Sequence, residues 1–194
     1  MNRADRKRWA SARTLADLGN LTALWLEGEI RKMPNYDGPP APETRELVPV
    51  LAALNRAGLV THGSQPGEAD SGNGWEQRAA VECFASPDLA GRLHATLEDG
   101  PGFLVRVREA SRRMSWKGAI PVSLDQGQVF TQFGVQLSRR FLRDSWEGYG
   151  TCHGEAVAAL CGARQVTIVD PQWGRNDRLW PVLERFAAQE VSAS

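Results

Sequence analysis

The sequence predicts an α+β or three-layer α/β fold, a single domain in which helices pack on a mixed sheet of about five or six strands. Leucine-rich segments at three- and four-residue spacing are interspersed with short β-branched runs. Gly, Pro and Asp clusters separate them, and 194 residues suit one domain with a real core.

The basic stretch 1–13, with Arg3, Arg6, Lys7, Arg8 and Arg13, is expected as a flexible lead. From Thr14 the repeat Leu15, Leu18, Leu21, Leu24, Trp25 predicts an amphipathic helix, capped by Thr14 with Asp17 near its positive end. The loop Met33–Pro42 follows. A second helix opens at Pro42 or, because Pro49 falls inside its first turns, near Pro49, and Gly58 marks its end. Leu59–His62 reads as a strand breaking into a His-Gly-Ser-Gln-Pro-Gly loop, and Gln77–Ala85 as the next strand. Ser86-Pro87-Asp88 starts a helix that Gly100-Pro101-Gly102 ends. Phe103–Glu109 alternates apolar and charged residues, as a half-buried strand does. Ala119–Leu124 and Gln128–Phe133 flank a hairpin turn at Asp125-Gln126-Gly127. Helices are expected around Gln136–Asp144 and Glu155–Leu160, a central strand at Gln165–Asp170, and a last helix over Arg178–Ala188. Strand order is left open.

Lys plus Arg and Asp plus Glu both number 23, so the formal net charge is zero. That balance argues against duplex nucleic acid as partner. The basic run Arg106, Arg108, Arg112, Arg113, Lys117 reads as solvated charge. Three cysteines make no disulfide framework and suit a reducing compartment. No signal-like or membrane-length apolar run is present, so a cytoplasmic protein is expected.

Candidate chemistry falls in three places. After the first strand, Gly63 and Gly67 let backbone approach a ligand while His62, Ser64 and Gln65 offer donors and acceptors, with Arg78 available for an anion. A plain structural turn explains the same loop as well. At Thr151–Glu155, Cys152 at a helix start is a candidate nucleophile and His153 a candidate base. Neighbouring helical residues point about 100° apart, however, so the pair does not cooperate easily. After the central strand come Asp170, the candidate stacking surface Trp173 and the candidate anion contact Arg175. That loop resembles the D-P-P-W tetrapeptide of amino-group methyltransferases, but departs at Gln172, and Gly148-Tyr149-Gly150 follows no buried strand. No P-loop, G-x-G-x-x-G, G-x-S-x-G or H-E-x-x-H occurs, and no metal-ligand spacing; no metal or cofactor is expected.

The blocks RWASARTLADLGNLTALWLEGEI, ETRELVPVLAALNRAGLVTHGSQPG, WEQRAAVECFA, CHGEAVAAL and QVTIVDPQWGR resemble an uncharacterised family of small soluble proteins of actinobacteria, their plasmids and phages. The resemblance implies a bacterial or mobile-element setting and no reaction. The expectation is a protein that binds a small polar or nucleotide-like ligand. His62, Ser64, Gln65 and Arg78 would form one wall of its site, facing Asp170, Trp173 and Arg175. The alternatives are an enzyme using Cys152 or His153, and an interaction module using some of the seven tryptophans.

Overall fold

The computed structural model describes residues 1–98, 102–148 and 151–193. The segment expected as a flexible lead contains helix α1 (Arg3–Ser11), capped by Asn2, whose side-chain oxygen accepts from the Asp5 amide at 2.8 Å. Trp9 is 0% exposed. Its indole N–H donates to the Lys32 carbonyl at 3.1 Å, and the ring meets Trp146 edge-on at 6.2 Å. Burying one tryptophan is worth roughly 2–3 kcal/mol, enough to fix a nine-residue helix that its charge alone would not hold.

Helix α2 (Leu15–Leu26) begins with the expected Thr14 cap, completed as a capping box by Asp17. The backbone amides of Arg13 and Thr14 donate to the Asp17 carboxylate and hold its pKa below the usual value. Gly19 lets α2 lie against α3, since a Cβ there would stand 2.4 Å from the Asn55 carbonyl oxygen. The Pro42 and Pro49 signals are both used: a 3-10 segment runs Pro42–Leu47 and α3 follows over Val48–Arg56. Gly58, at φ +95°, closes it.

Strands β1 (Val60–Gln65), β3 (Ala80–Ala85), β4 (Leu104–Glu109) and β7 (Arg164–Val169) form an antiparallel sheet in the order β1-β3-β7-β4. Strands β2 (Trp75–Gln77), β5 (Ile120–Asp125) and β6 (Gln128–Phe133) form a second, in the order β2-β5-β6. Every named pairing is antiparallel, so the expected mixed sheet resolves into two antiparallel ones. Helices α4 (Pro87–Glu98), α5 (Arg139–Glu147), α6 (Gly154–Gly162) and α7 (Leu179–Ala193) complete the α+β fold. The glycine-proline stop expected at 100–101 lies outside the described residues, as do Tyr149 and Gly150.

Two strand boundaries differ from expectation. First, the supposed loop from His62 to Gln65 is strand, with the register against β3 slipping between Thr61 and Gly63. His62 is the extra residue of that bulge. Second, the single strand expected at Gln77–Ala85 is divided between the sheets. The Arg78 amide still bonds Val122 of β5 at 2.8 Å, whereas the Ala79 carbonyl already accepts from the Asp170 amide at 2.9 Å. Ala79 and Ala80 are both fully buried, and side chains this small let the chain change sheets inside the core.

The main core packs helices on Val81, Cys83, Val166 and Ile168 of the larger sheet. The opposite face carries Glu82, whose buried Oε1 accepts from the Gly134 amide, the Gln165 amide and the Thr167 hydroxyl at 2.7, 3.1 and 2.8 Å. Strand β4 is an edge. Its Arg106 and Arg108 guanidiniums converge on Gly118, and Arg108 donates to the Lys117 carbonyl at 2.7 Å. No helix is long and apolar enough to cross a membrane among the described residues.

Candidate functional site

The bulge in β1 opens one wall of a cleft of about 580 Å³. Thr61, His62, Gly63, Ser64 and Gln65 line that wall. Asn35 and Tyr36 close it from the loop after α2, and Glu43 and Thr44 from the 3-10 segment. The floor is the second sheet. Gln77 of β2 pairs in register with Ser123 of β5, which pairs with Thr131 of β6, and all three line the cleft. Cross-strand partners stand about 5 Å apart, so these residues make one polar row across the sheet.

The row is buried but not internally satisfied. Gln77 is 5% exposed and Ser123 1%. Gln77 Oε1, Ser123 Oγ and Asn35 Oδ1 are buried with no hydrogen-bond partner among the described residues. A buried polar atom without a partner costs about 1–3 kcal/mol, so three at one cleft need an explanation. Aromatic pairs frame them. Trp75 meets Phe130 edge-on at 5.2 Å, with Phe130 67% exposed, and Trp25 meets Tyr36 at 5.7 Å.

His62 stacks edge-on against Phe84 at 5.6 Å, and its Nδ1 lies 3.1 Å from the Asn35 amide nitrogen. Burial lowers the imidazole pKa and so favours the neutral ring, with the Glu82 charge opposing. In its Nε2–H tautomer the neutral ring accepts at Nδ1 from the Asn35 amide, and in its Nδ1–H tautomer it donates to that amide. Gln65 lines the cleft, but its amide N–H₂ is spent on the Val122 and Arg78 carbonyls at 2.7 and 3.0 Å. It stitches the two sheets together.

Arg78, expected on the wall with His62, and the three residues expected on the opposing wall lie elsewhere. Arg78, Asp170, Trp173 and Arg175 do not line the cleft. Arg78 lies over the Trp173 ring at 4.1 Å and donates to the Pro121 carbonyl at 3.1 Å. Burial lowers its pKa, with the Asp170 charge opposing. Asp170, 0% exposed, accepts from Arg175 Nε at 2.8 Å and Nη2 at 2.6 Å, and from the Gln172 amide at 2.9 Å. The bond to Asp170 raises the Arg175 pKa. Asp170 and Arg175 neutralise each other in the loop after β7, while Arg78 Nε is buried with no hydrogen-bond partner among the described residues.

Cys152 is buried and its thiol pKa is pushed up to about 12 by burial and the Glu147 charge, which disfavours the thiolate. His153 is the N-cap of α6, its Nδ1 accepting from the Glu155 amide at 3.3 Å. No group of three His, Cys, Asp or Glu side chains stands in metal-holding range among the described residues.

Fold and cleft define an α+β domain whose two antiparallel sheets flank a polar-floored, aromatic-rimmed cavity. The chain belongs to the family described as Domain of unknown function (DUF6919), matched over residues 4–190. No curated protein matches it.

Proposed function

We propose that this protein binds a small polar ligand in the cleft between the β1 bulge and the second sheet. One observation carries the reading: Gln77, Ser123 and Asn35, which line one cavity, hold buried polar atoms with no partner among the described residues. A fold keeps such atoms at a cost, and a ligand that hydrogen-bonds them repays it only when bound. His62, Ser64 and Gln65 remain in the proposed site, as shape and neighbours of the row. Arg78, Asp170, Trp173 and Arg175 serve the loop behind it. The bacterial, cytoplasmic setting expected from the sequence belongs to this reading. The enzyme alternative through Cys152 or His153 has weaker support, since one is a buried protonated thiol and the other a helix cap.

The test compares the full chain with a Gln77→Leu/Ser123→Ala variant by native mass spectrometry after gentle purification, and by thermal shift against a metabolite library. A copurifying mass or a stabilising compound is expected for the natural sequence and not for the variant. Identical behaviour of the two proteins would remove the site.

A further inference from the structure

We propose that the ligand of this cleft is an uncharged planar heterocycle with a mixed donor and acceptor edge, of the nucleobase or nucleoside kind, and that its phosphorylated forms are rejected. The proposal rests on the reading that the cleft is a ligand site, and adds the ligand's charge and shape.

The charge inventory of the walls comes first. Among the described residues no lysine or arginine lines the cleft, and the titratable side chains that do are Glu43, His62 and Tyr36. Arg78 and Arg175 are engaged with Trp173 and Asp170. A phosphate entering here would give up hydration with no cation to replace it, beside the Glu43 carboxylate.

The edge chemistry comes second. One end of the Asn35 amide meets His62 Nδ1, and the His62 tautomer sets whether the other end is a donor or an acceptor. Gln77 makes no side-chain hydrogen bond to a described residue, so its amide is free to turn either end outward. Ser123 both donates and accepts. Three groups that can each donate or accept suit the alternating N–H and C=O or ring-nitrogen edge of a heterocycle.

The walls come third. The edge-on pairs Trp75–Phe130 and Trp25–Tyr36 offer flat apolar surface to a planar ring entering above the polar row.

Calorimetry and thermal shift on the full chain test this with the common nucleobases and ribonucleosides, their 5′-monophosphates, and glucose and galactose. At least one base or nucleoside is expected to bind, with its monophosphate at least about tenfold weaker. Glu43→Gln is expected to narrow that gap. A monophosphate that binds as tightly, a response to sugars alone, or no response from any compound would each overturn the proposal. For a monophosphate or a sugar, loss of binding in Gln77→Leu would still uphold the cleft as the site. Binding unchanged in Gln77→Leu and in Ser123→Ala would reject the site itself.

Discussion

Gln77 and Ser123 are register partners on β2 and β5; both line the same cleft, and each holds a buried polar atom with no hydrogen-bond partner among the described residues. Natural sheets rarely leave two such neighbours unsatisfied. Ser123→Ala removes one hydroxyl and changes little volume. The ligand-free variant should therefore be as stable as the natural sequence or more stable, by up to about 1 kcal/mol in urea denaturation. A loss of more than about 1 kcal/mol would mark Ser123 as structural.

Gln65 predicts the opposite. Its amide bridges Val122 and Arg78, where one sheet gives way to the other. Gln65→Leu keeps the bulk and removes both bonds, so it should destabilise by about 1–3 kcal/mol. Chemical denaturation is the measurement, and a neutral result would reduce the bridge to coincidence.

The Asp170–Arg175 pair belongs to the frame. Asp170→Asn leaves Arg175 without its countercharge. Because Arg175 keeps 23% side-chain exposure, the loss should be about 2 kcal/mol, below the roughly 3–5 kcal/mol of a fully buried pair. Ligand binding in the cleft should survive at temperatures where the variant is folded. Selective loss of binding without loss of stability would return Asp170 to the site.

His62 gives a pH dependence. Its pKa is held below the ordinary 6.5 by burial, with Glu82 opposing. The unfolded chain therefore takes up a proton on acidification before the folded chain does, and stability rises with pH across that window. The contribution is complete above about pH 6.5 and declines as pH falls toward the folded value. Urea midpoints at about pH 7.5 and about pH 5.5 should differ, and the difference should shrink in His62→Gln. An equal slope in both proteins would assign the effect to other groups.

Local signals in the sequence were strong where one residue decides the outcome. Thr14 with Asp17 sets the start of α2, and Gly58 the end of α3. Gln126 and Gly127, both at positive φ, make the expected hairpin turn. The cleft was only partly legible. His62, Ser64 and Gln65 stood out as polar residues beside glycines, and they do line it. Ser123 and Thr131 did not, because a register shift near Ser123 breaks the simple count back from the hairpin turn. Asp170, Trp173 and Arg175 carried suggestive chemistry that sequence alone could not separate from internal pairing. Trp9 shows the same limit in another form. Its neighbours Arg6, Lys7 and Arg8 read as a mobile basic lead, and burial of one ring outweighs that pattern.

Strand β4 pairs with β7 on one side and ends the sheet on the other. An open strand edge is a template on which a second chain can add, and it is a common start of unwanted assembly. Arg106 and Arg108 stand along it on the face turned toward Gly118, with no carboxylate within ion-pair range among the described residues. Two copies meeting edge to edge would bring four guanidiniums together. Like charge along β4 thus opposes pairing at this edge, while the cleft wall on β1 lies at the far edge of the same sheet.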